Sequence, residues 1–348
     1  MLESEREAEA LEAFLHTPRG QEIPKGGMVW ILRAIDGAAV RILEGNSASL
    51  AILQSDRRLA APFVQKGLDP LVPPEGPVRV AVVFATKHRE EVLLHLALAA
   101  ERLEEGGLLI LTAANDLGAG SLEKRVRELF GQCEPFSKHK CRVLCAVKKT
   151  ESLDGDRLKA WKVQGEMRQV GAEGLWSCPG IFSWKRPDDG SRFLLDFLPE
   201  GLSGRGADFG AGNGFLAKGL LARNPGITSL DLLEVEGKAL EAARRNLAVE
   251  ASDARPLTFH WIDITQGVGL TGLDFIVMNP PFHAERGSIP ALGQRFIAEA
   301  LDALRVGGKL YMVANRHLPY ESVFSSMRGH ILRRAEASGF KVLEIAKR

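Results

Sequence analysis

The sequence predicts an α/β protein built from two tandem units, each with a parallel sheet, and three observations carry that expectation. Strand-like apolar runs alternate with helix-like stretches in both halves, the pattern of βαβ architecture. One phrase occurs twice, as Leu98-Ala99-Ala100-Glu101-Arg102-Leu103-Glu104-Glu105-Gly106-Gly107 and as Ala300-Leu301-Asp302-Ala303-Leu304-Arg305-Val306-Gly307-Gly308, which points to an internal duplication. A chain of 348 residues also has room for two domains of roughly 150 residues each.

The elements follow in order. Residues 78–84, VRVAVVF, form the first strong and well-bounded strand, and such a continuous apolar run suits a strand buried on both faces. A helix is expected over 90–105, closed by Gly106-Gly107 in the left-handed conformation that ends helices, and then a strand over 108–112. Residues 150–192 mix Gly, Pro, Trp and charge, with Asp154-Gly155-Asp156 and Pro187-Asp188-Asp189-Gly190 as turns. The junction is placed there, with one domain over 1–160 and the other over 170–348. In the second half, strands are expected to end at the Asp208 turn, at Glu234, at Asp263 and at Met278, with a helix over 215–222. The design of the first half then repeats as a helix over 291–305, a Gly307-Gly308 turn and a strand over 309–314.

Composition narrows the class. Apolar residues at 45% and charged residues at 26% are ordinary for a globular chain with a real core. A formal net charge of +1 excludes a general nucleic-acid coat, so any such contact must come from local patches. The four cysteines, Cys133, Cys141, Cys145 and Cys178, make no CxxC pair and no zinc spacing; reduced thiols and no metal are expected. No apolar run approaches the ~20 residues that span a bilayer, and the acidic start is unlike a secretory signal. A cytoplasmic monomer is expected.

Residues 205–214 read RGADFGAGNG before a helical stretch. Glycines let the backbone approach a ligand closely, and the helix start supplies N–H donors. The order D-x-G-x-G-x-G, from Asp208 through Gly210, Gly212 and Gly214, differs from the G-x-G-x-x-G of nicotinamide folds. An acid at Asp208 suits a cationic ammonium and repels a pyrophosphate. Glu234 then lies near the ~20-residue distance at which an acid meets ribose hydroxyls, two donors for two carboxylate oxygens. Asp263 is placed to accept from an adenine amino group. Each of these acids has a bland reading as a surface or turn residue, but three in succession at strand ends is specific. Together they point to S-adenosylmethionine.

The fourth strand of this half runs into Asn279-Pro280-Pro281-Phe282. Two prolines fix the loop and donate no backbone hydrogen bonds. The Asn279 side-chain carbonyl and the Pro280 backbone carbonyl are two acceptors for a planar amino group, and Phe282 offers a stacking face worth ~1–3 kcal/mol. An exocyclic base nitrogen is a poor nucleophile, so acceptors that localise its lone pair and aim it at a sulfonium methyl supply what the reaction needs, chiefly positioning. Asn279 also borders the cofactor. His283, Arg286, Asn315 and Arg316 are further candidates for the substrate side.

On these residues the chain resembles the class I methyltransferases that act on amino nitrogens, and more closely the small-subunit ribosomal RNA methyltransferase C family. Trp176-Ser177-Cys178-Pro179-Gly180-Ile181-Phe182-Ser183, Asp189-Gly190-Ser191, the 208–214 loop, residues 279–283 and Val313-Ala314-Asn315-Arg316-His317-Leu318-Pro319-Tyr320 carry the resemblance. It implies two tandem Rossmann-like class I methyltransferase domains, the N-terminal one degenerate. It also implies methyl transfer from S-adenosylmethionine to guanosine N2 in ribosomal RNA, 16S ahead of 23S, with ribosomal RNA or the small ribosomal subunit as partner. Adenine N6 and protein glutamine are rival amino-nitrogen substrates, although such enzymes usually carry Tyr after the prolines. A non-catalytic RNA-binding scaffold is the rival of another class. The first half has Ala85-Thr86-Lys87-His88 for the Asn-Pro-Pro-Phe loop and Leu43-Glu44-Gly45-Asn46-Ser47 as the remnant of a glycine loop, so no methyl donor is expected there. Lys87, His88 and Arg89, with Lys138, His139, Lys140, Arg142, Lys148 and Lys149, are its candidate phosphate contacts.

Overall fold

The computed structural model describes residues 5–281, 291–321, 324 and 327–348, and the chain divides into two compact units, Met1–Glu166 and Met167–Arg348. The first unit holds β1 (Met28–Leu32), β2 (Ser49–Leu53), β3 (Val78–Phe84), β4 (Leu103–Ala114), β5 (Glu134–Lys138) and β6 (Cys141–Val147). The second holds a short ribbon, β7 (Arg168–Val170) and β8 (Leu175–Ser177), then β9 (Gly204–Phe209), β10 (Ile227–Glu234), β11 (Leu257–Trp261), β12 (Leu273–Met278), β13 (Leu304–Asn315), β14 (Gly329–Ala337) and β15 (Phe340–Lys347).

The sheets run β2-β1-β3-β4-β6-β5 and β11-β10-β9-β12-β13-β15-β14. They share one plan, and the first lacks a counterpart of the edge strand β11. Neither is wholly parallel, contrary to the sequence expectation: β6 pairs antiparallel to β4 and β15 antiparallel to β13. The tight turns at His139-Lys140 and Ser338-Gly339, all at positive φ, send the chain straight back, which a parallel crossover cannot do. Core strands are apolar on both faces; Val80, Ala81, Val82 and Val83 are all fully buried, since helices cover both sides of the sheet.

The glycine pairs do not close helices. Helix Arg89–Arg102 passes directly into β4, and Ala291–Ala303 directly into β13. Gly106 and Gly307, each at φ 76°, make a bulge inside the strand. Val78 faces Leu103 but Val80 already faces Leu108, and Leu273 faces Leu304 while Phe275 faces Lys309. The helix ends are held instead by lysine. Lys148 Nζ donates to the Glu101 and Leu103 carbonyls, and Lys347 Nζ to those of Asp302 and Leu304, a cation at the negative end of each helix.

Shared registers pair the two units residue by residue. Counting from the glycine bulges, Val82 stands for Val277, Ile31 for Asp208 and Arg33 for Gly210. Arg33 keeps the left-handed backbone at φ 58° and donates its N–H to Leu53, as Gly210 donates to Leu233. Gln54 thereby stands for Glu234, and accepts from the Asp56 amide as Glu234 accepts from that of Glu236. The remnant of the glycine loop is thus residues 33–37. Residues 43–46 instead lie in helix Ala38–Asn46, because their spacing places Val40 and Leu43 on a buried helical face. By the same count Phe84, one residue before Ala85, takes the place of Asn279.

The segment between 150 and 192 is more regular than its composition suggests. Asp154 accepts from the Arg157 amide and starts helix Gly155–Gly165, and Asp188 accepts from the Ser191 amide and starts helix Asp189–Phe197. Both aspartates read as turn residues because the same side-chain acceptor serves turns and N-caps alike.

Candidate functional site

Asp208, Gly210 and Asn279 meet because β9 and β12 are neighbours in register. Met278 pairs with Phe209, so the glycine turn and the Asn-Pro-Pro loop leave the sheet side by side. A Cβ added at Gly210 would stand 4.0 Å from the Asn279 backbone oxygen. Gly210, Gly212 and Gly214 all sit at positive φ, 77°, 55° and 79°, where an L side chain costs ~1–2 kcal/mol. The turn is pinned by Gly210 and Ala211 amides donating to the Leu233 carbonyl at 2.9 and 3.1 Å. Helix Phe215–Arg223 begins at Gly214, which offers no capping side chain, so its N-terminal amides face the turn.

Two features of the turn ask for an outside group. A Cβ at Gly212 would meet nothing within 4 Å, so the open side of the loop is bare backbone. Asp208 is 1% exposed, and its Oδ2 has no hydrogen-bond partner among the described residues. Burial, with repulsion from Glu234 added, pushes this carboxyl up to about 8, while the Ala217 backbone amide pulls the other way. A buried, unsatisfied carboxylate is costly alone and becomes favourable beside a cation. The ammonium of an S-adenosylmethionine amino-acid moiety fits that demand.

Glu234 ends β10, and burial raises its carboxyl too. Its Oε2 accepts from the Gly212 amide at 2.8 Å, and its Oε1 from Val235 and Glu236 at 2.8 and 2.9 Å. Three of about four acceptor directions are therefore filled by backbone. One ribose hydroxyl can be met directly, and a second only if Gly212 gives up its bond. Asp263 lies two residues beyond β11, not at its end. It caps the short turn Ile264–Gln266, its Oδ1 accepting from Thr265 N and Oγ1 at 3.0 and 2.7 Å, which leaves the other carboxylate oxygen for a ligand.

Asn279 is half-buried, Pro280 buried and Pro281 exposed. Asn279 Nδ2 donates to Asp188 Oδ2 at 2.9 Å and to Ser191 Oγ at 2.8 Å. Phe282, His283 and Arg286 lie outside the described residues. Asn315 and Arg316 are exposed at and just after the end of β13.

Sequence reading missed Asp188 and Ser191 as partners of Asn279; Asp188 read as part of a turn, and Asp189-Gly190-Ser191 only as a segment that carries the resemblance. It also missed Asn246, 5% exposed. Asn246 donates to the carbonyls of Trp176 and Asn213 at 3.0 and 2.8 Å and accepts from the Trp176 amide at 2.7 Å, tying the ribbon to the glycine turn.

In the first unit the basic cluster is partly committed elsewhere. Arg142 pairs with Glu123 at 2.6 Å, and Lys148 holds a helix end. Both were expected to be open to phosphate, and both were drawn inward by acceptors that sequence spacing does not reveal. Lys138, His139 and Lys140 remain exposed. Burial pushes the Cys133 and Cys141 thiols up to about 11 and Cys145 to about 12, which makes them unreactive packing groups. No cluster of metal-ligating side chains occurs among the described residues, and no described helix is long and apolar enough to cross a membrane.

Known proteins place this geometry. The profile of the Methyltransferase small domain family matches residues 173–344. A ribosomal RNA small subunit methyltransferase C from Shewanella amazonensis is 30% identical over 271 residues, 77% of each chain. This chain belongs to the ribosomal RNA small subunit methyltransferase C family. Its namesake from Shewanella loihica is also 30% identical, over 268 residues and 75% of each chain. The family fold extends over the whole chain. A T. thermophilus 16S rRNA guanosine-N2 methyltransferase, solved with AdoMet and guanosine, superposes with a TM-score of 0.80, at 22% identity, over 100% of this chain and 93% of that one. The chain is accordingly an S-adenosylmethionine-dependent methyltransferase with two methyltransferase-like domains.

Proposed function

We propose that the second unit transfers the methyl group of S-adenosylmethionine to the exocyclic N2 amino group of a guanosine in 16S ribosomal RNA. The observation that carries this reading is the placement of Asn279 beside the Gly210 turn, its backbone carbonyl 4.0 Å from where a Gly210 Cβ would stand, next to the buried Asp208, whose Oδ2 has no hydrogen-bond partner among the described residues. The names of the relatives support guanosine and the small subunit over the 23S, adenine and glutamine readings.

S-adenosylmethionine supplies a methyl already activated on a sulfonium. Asp208 accepts the ammonium, Gly210, Gly212 and Gly214 let the backbone close on the ligand, Glu234 takes a ribose hydroxyl, and Asp263 takes the adenine side. Asn279 Oδ1 and the Pro280 carbonyl accept from the two N–H groups of the amine, localise its lone pair, and aim it; once the nitrogen carries the methyl group, one of those protons leaves to water. Pro281 stiffens this loop, and Phe282, next in sequence, is assigned the stacking of the base. The rate gain is positional, since effective molarity alone reaches ~10⁵ M or more in well-oriented pairs.

Surface chemistry on the second unit suits RNA. Phe182 is 63% exposed, and Trp184 lies 5.2 Å from the Arg168 guanidinium and 5.0 Å from the Lys185 ammonium. Aromatic faces flanked by cations serve base stacking and phosphate contact together. The first unit, with Ile31, Arg33, Gln54 and Phe84 in the places of Asp208, Gly210, Glu234 and Asn279, has exchanged the residues that would hold methyl donor and amino group. Its role is to position RNA or to support the catalytic unit.

The test is methyl-labelled S-adenosylmethionine with ribosomal RNA or small subunits that lack the modification, followed by nucleoside analysis. Label is expected in N2-methylguanosine of 16S RNA. Label in adenosine, in 23S RNA alone, or in protein would overturn the substrate reading.

A further inference from the structure

We propose that Asp188 and Ser191 are positioning residues that fix which end of the Asn279 amide faces the substrate; this rests on the role given to Asn279 above. An asparagine amide is nearly symmetric in shape, and a half-turn about its last bond exchanges oxygen for NH2. For methyl transfer the difference is decisive. The oxygen accepts from the guanosine amino group, whereas an NH2 turned outward would meet it donor to donor.

The structure holds the amide one way round. Asp188 Oδ2 stands 2.9 Å from Nδ2, and Ser191 Oγ 2.8 Å from the same nitrogen. A carboxylate only accepts, so it admits the NH2 and repels the carbonyl. With two acceptors taking both N–H groups, Oδ1 is the end left over. The Asp188 bond is charge-assisted, and drawing charge off the NH2 makes Oδ1 a stronger acceptor.

The local sequence builds this corner. Asp188 is the N-cap of helix Asp189–Phe197, and the same Oδ2 accepts from the Ser191 amide at 3.1 Å. One oxygen thus serves the helix start and the Asn279 amide together. Ser191 lies on the first turn, where its hydroxyl faces the same point. Gly190 keeps the corner open; a Cβ there would come within 2.9 Å of Asp188 Oδ2 and 3.0 Å of Phe340. Asp188 therefore has two roles that mutation can separate.

Asp188→Asn separates them, because Asn caps helices as well as Asp through its amide oxygen, but the oxygen it leaves beside Asn279 is neutral and no longer carries the charge that bars the Asn279 carbonyl from this corner. The full-length protein is assayed for single-turnover transfer to 16S RNA, S-adenosylhomocysteine affinity and thermal stability. Asp188→Asn should keep its melting temperature within ~2 °C and its cofactor Kd within about threefold, while the transfer rate falls roughly 10- to 100-fold, the scale of one charge-assisted hydrogen bond. Ser191→Ala should show a smaller loss of the same kind. Should Asp188→Asn melt early, Asp188→Ser restores a capping hydroxyl without charge and should still be slow. Asp188→Asn added to Asn279→Ala should cost nothing more.

A normal transfer rate in well-folded Asp188→Asn overturns the proposal. Full activity of Asn279→Ala, run in parallel, would instead overturn the reading beneath it. Loss of cofactor affinity in step with rate would reduce Asp188 to a structural cap.

Discussion

Replacing Asp208 by Asn should stabilise the ligand-free protein at alkaline pH while weakening its hold on the methyl donor. The Asp208 carboxyl is raised from its ordinary 3.8 to about 8 by burial and by Glu234. Between those values the folded chain keeps a proton that the unfolded chain has lost. Stability from this group is therefore full below about pH 4 and falls away as pH rises through about 8. At ~1.36 kcal/mol per pH unit, the loss between pH 5 and pH 8 is on the order of 3–4 kcal/mol. An unfolding unit of this size shifts by about 2–4 °C per kcal/mol, so the melting temperature should decline by roughly 10 °C across that span. Asn does not titrate, and Asp208→Asn should lack this decline. Scanning calorimetry of both proteins without ligand measures the difference. Parallel melting profiles from pH 5 to pH 8 would refute it, and would mean that water or a cation already satisfies Asp208. Binding gives the matching check: titration calorimetry at pH 7 in buffers of different ionisation heat should register proton release as the ammonium engages.

Two further substitutions follow from the same turn. Asn246→Ala strands three backbone groups at ~1–3 kcal/mol for each one left unsatisfied; chemical denaturation should show a loss of about 3 kcal/mol and weaker cofactor binding, and an unchanged midpoint would contradict the tie between ribbon and turn. Gly212→Ala should cost ~1 kcal/mol for its left-handed backbone, but the methyl enters the bare side of the loop, so isothermal titration should show at least tenfold weaker cofactor affinity (~1.4 kcal/mol).

The strands β3 and β4 of the first sheet and β9 to β13 of the second were legible because they are continuous apolar runs and because the duplicated phrase repeats at the same places, whereas β1, β2, β5, β6, β14 and β15 and the order of the strands were not. The glycine pairs were not legible as bulges, since a left-handed glycine looks the same in sequence whether it closes a helix or kinks a strand. Gly106 and Gly307 differ from helix caps only in what β6 and β15 do opposite them. Asp208, Glu234 and Asn279 were visible as strand-end residues, because the topology of a parallel sheet brings such ends to one edge. Hydrogen-bond partners were not. Asp188 reaches Asn279 across 91 positions and Asn246 reaches Trp176 across 70, distances over which spacing carries no information. The remnant turn in the first unit was hidden for another reason. Arg33 holds a glycine-like φ without being glycine, and only shared register exposes it.

The most direct measurement is single-turnover methyl transfer by Asn279→Ala beside its affinity for S-adenosylhomocysteine. Removing one preorganised group that acts on the reacting centre costs about 10²–10³ in rate, so transfer to guanosine should fall by that much while cofactor Kd stays within about threefold. Near-normal transfer, or a loss of affinity as large as the loss of rate, would contradict the assignment of Asn279 to the amino group.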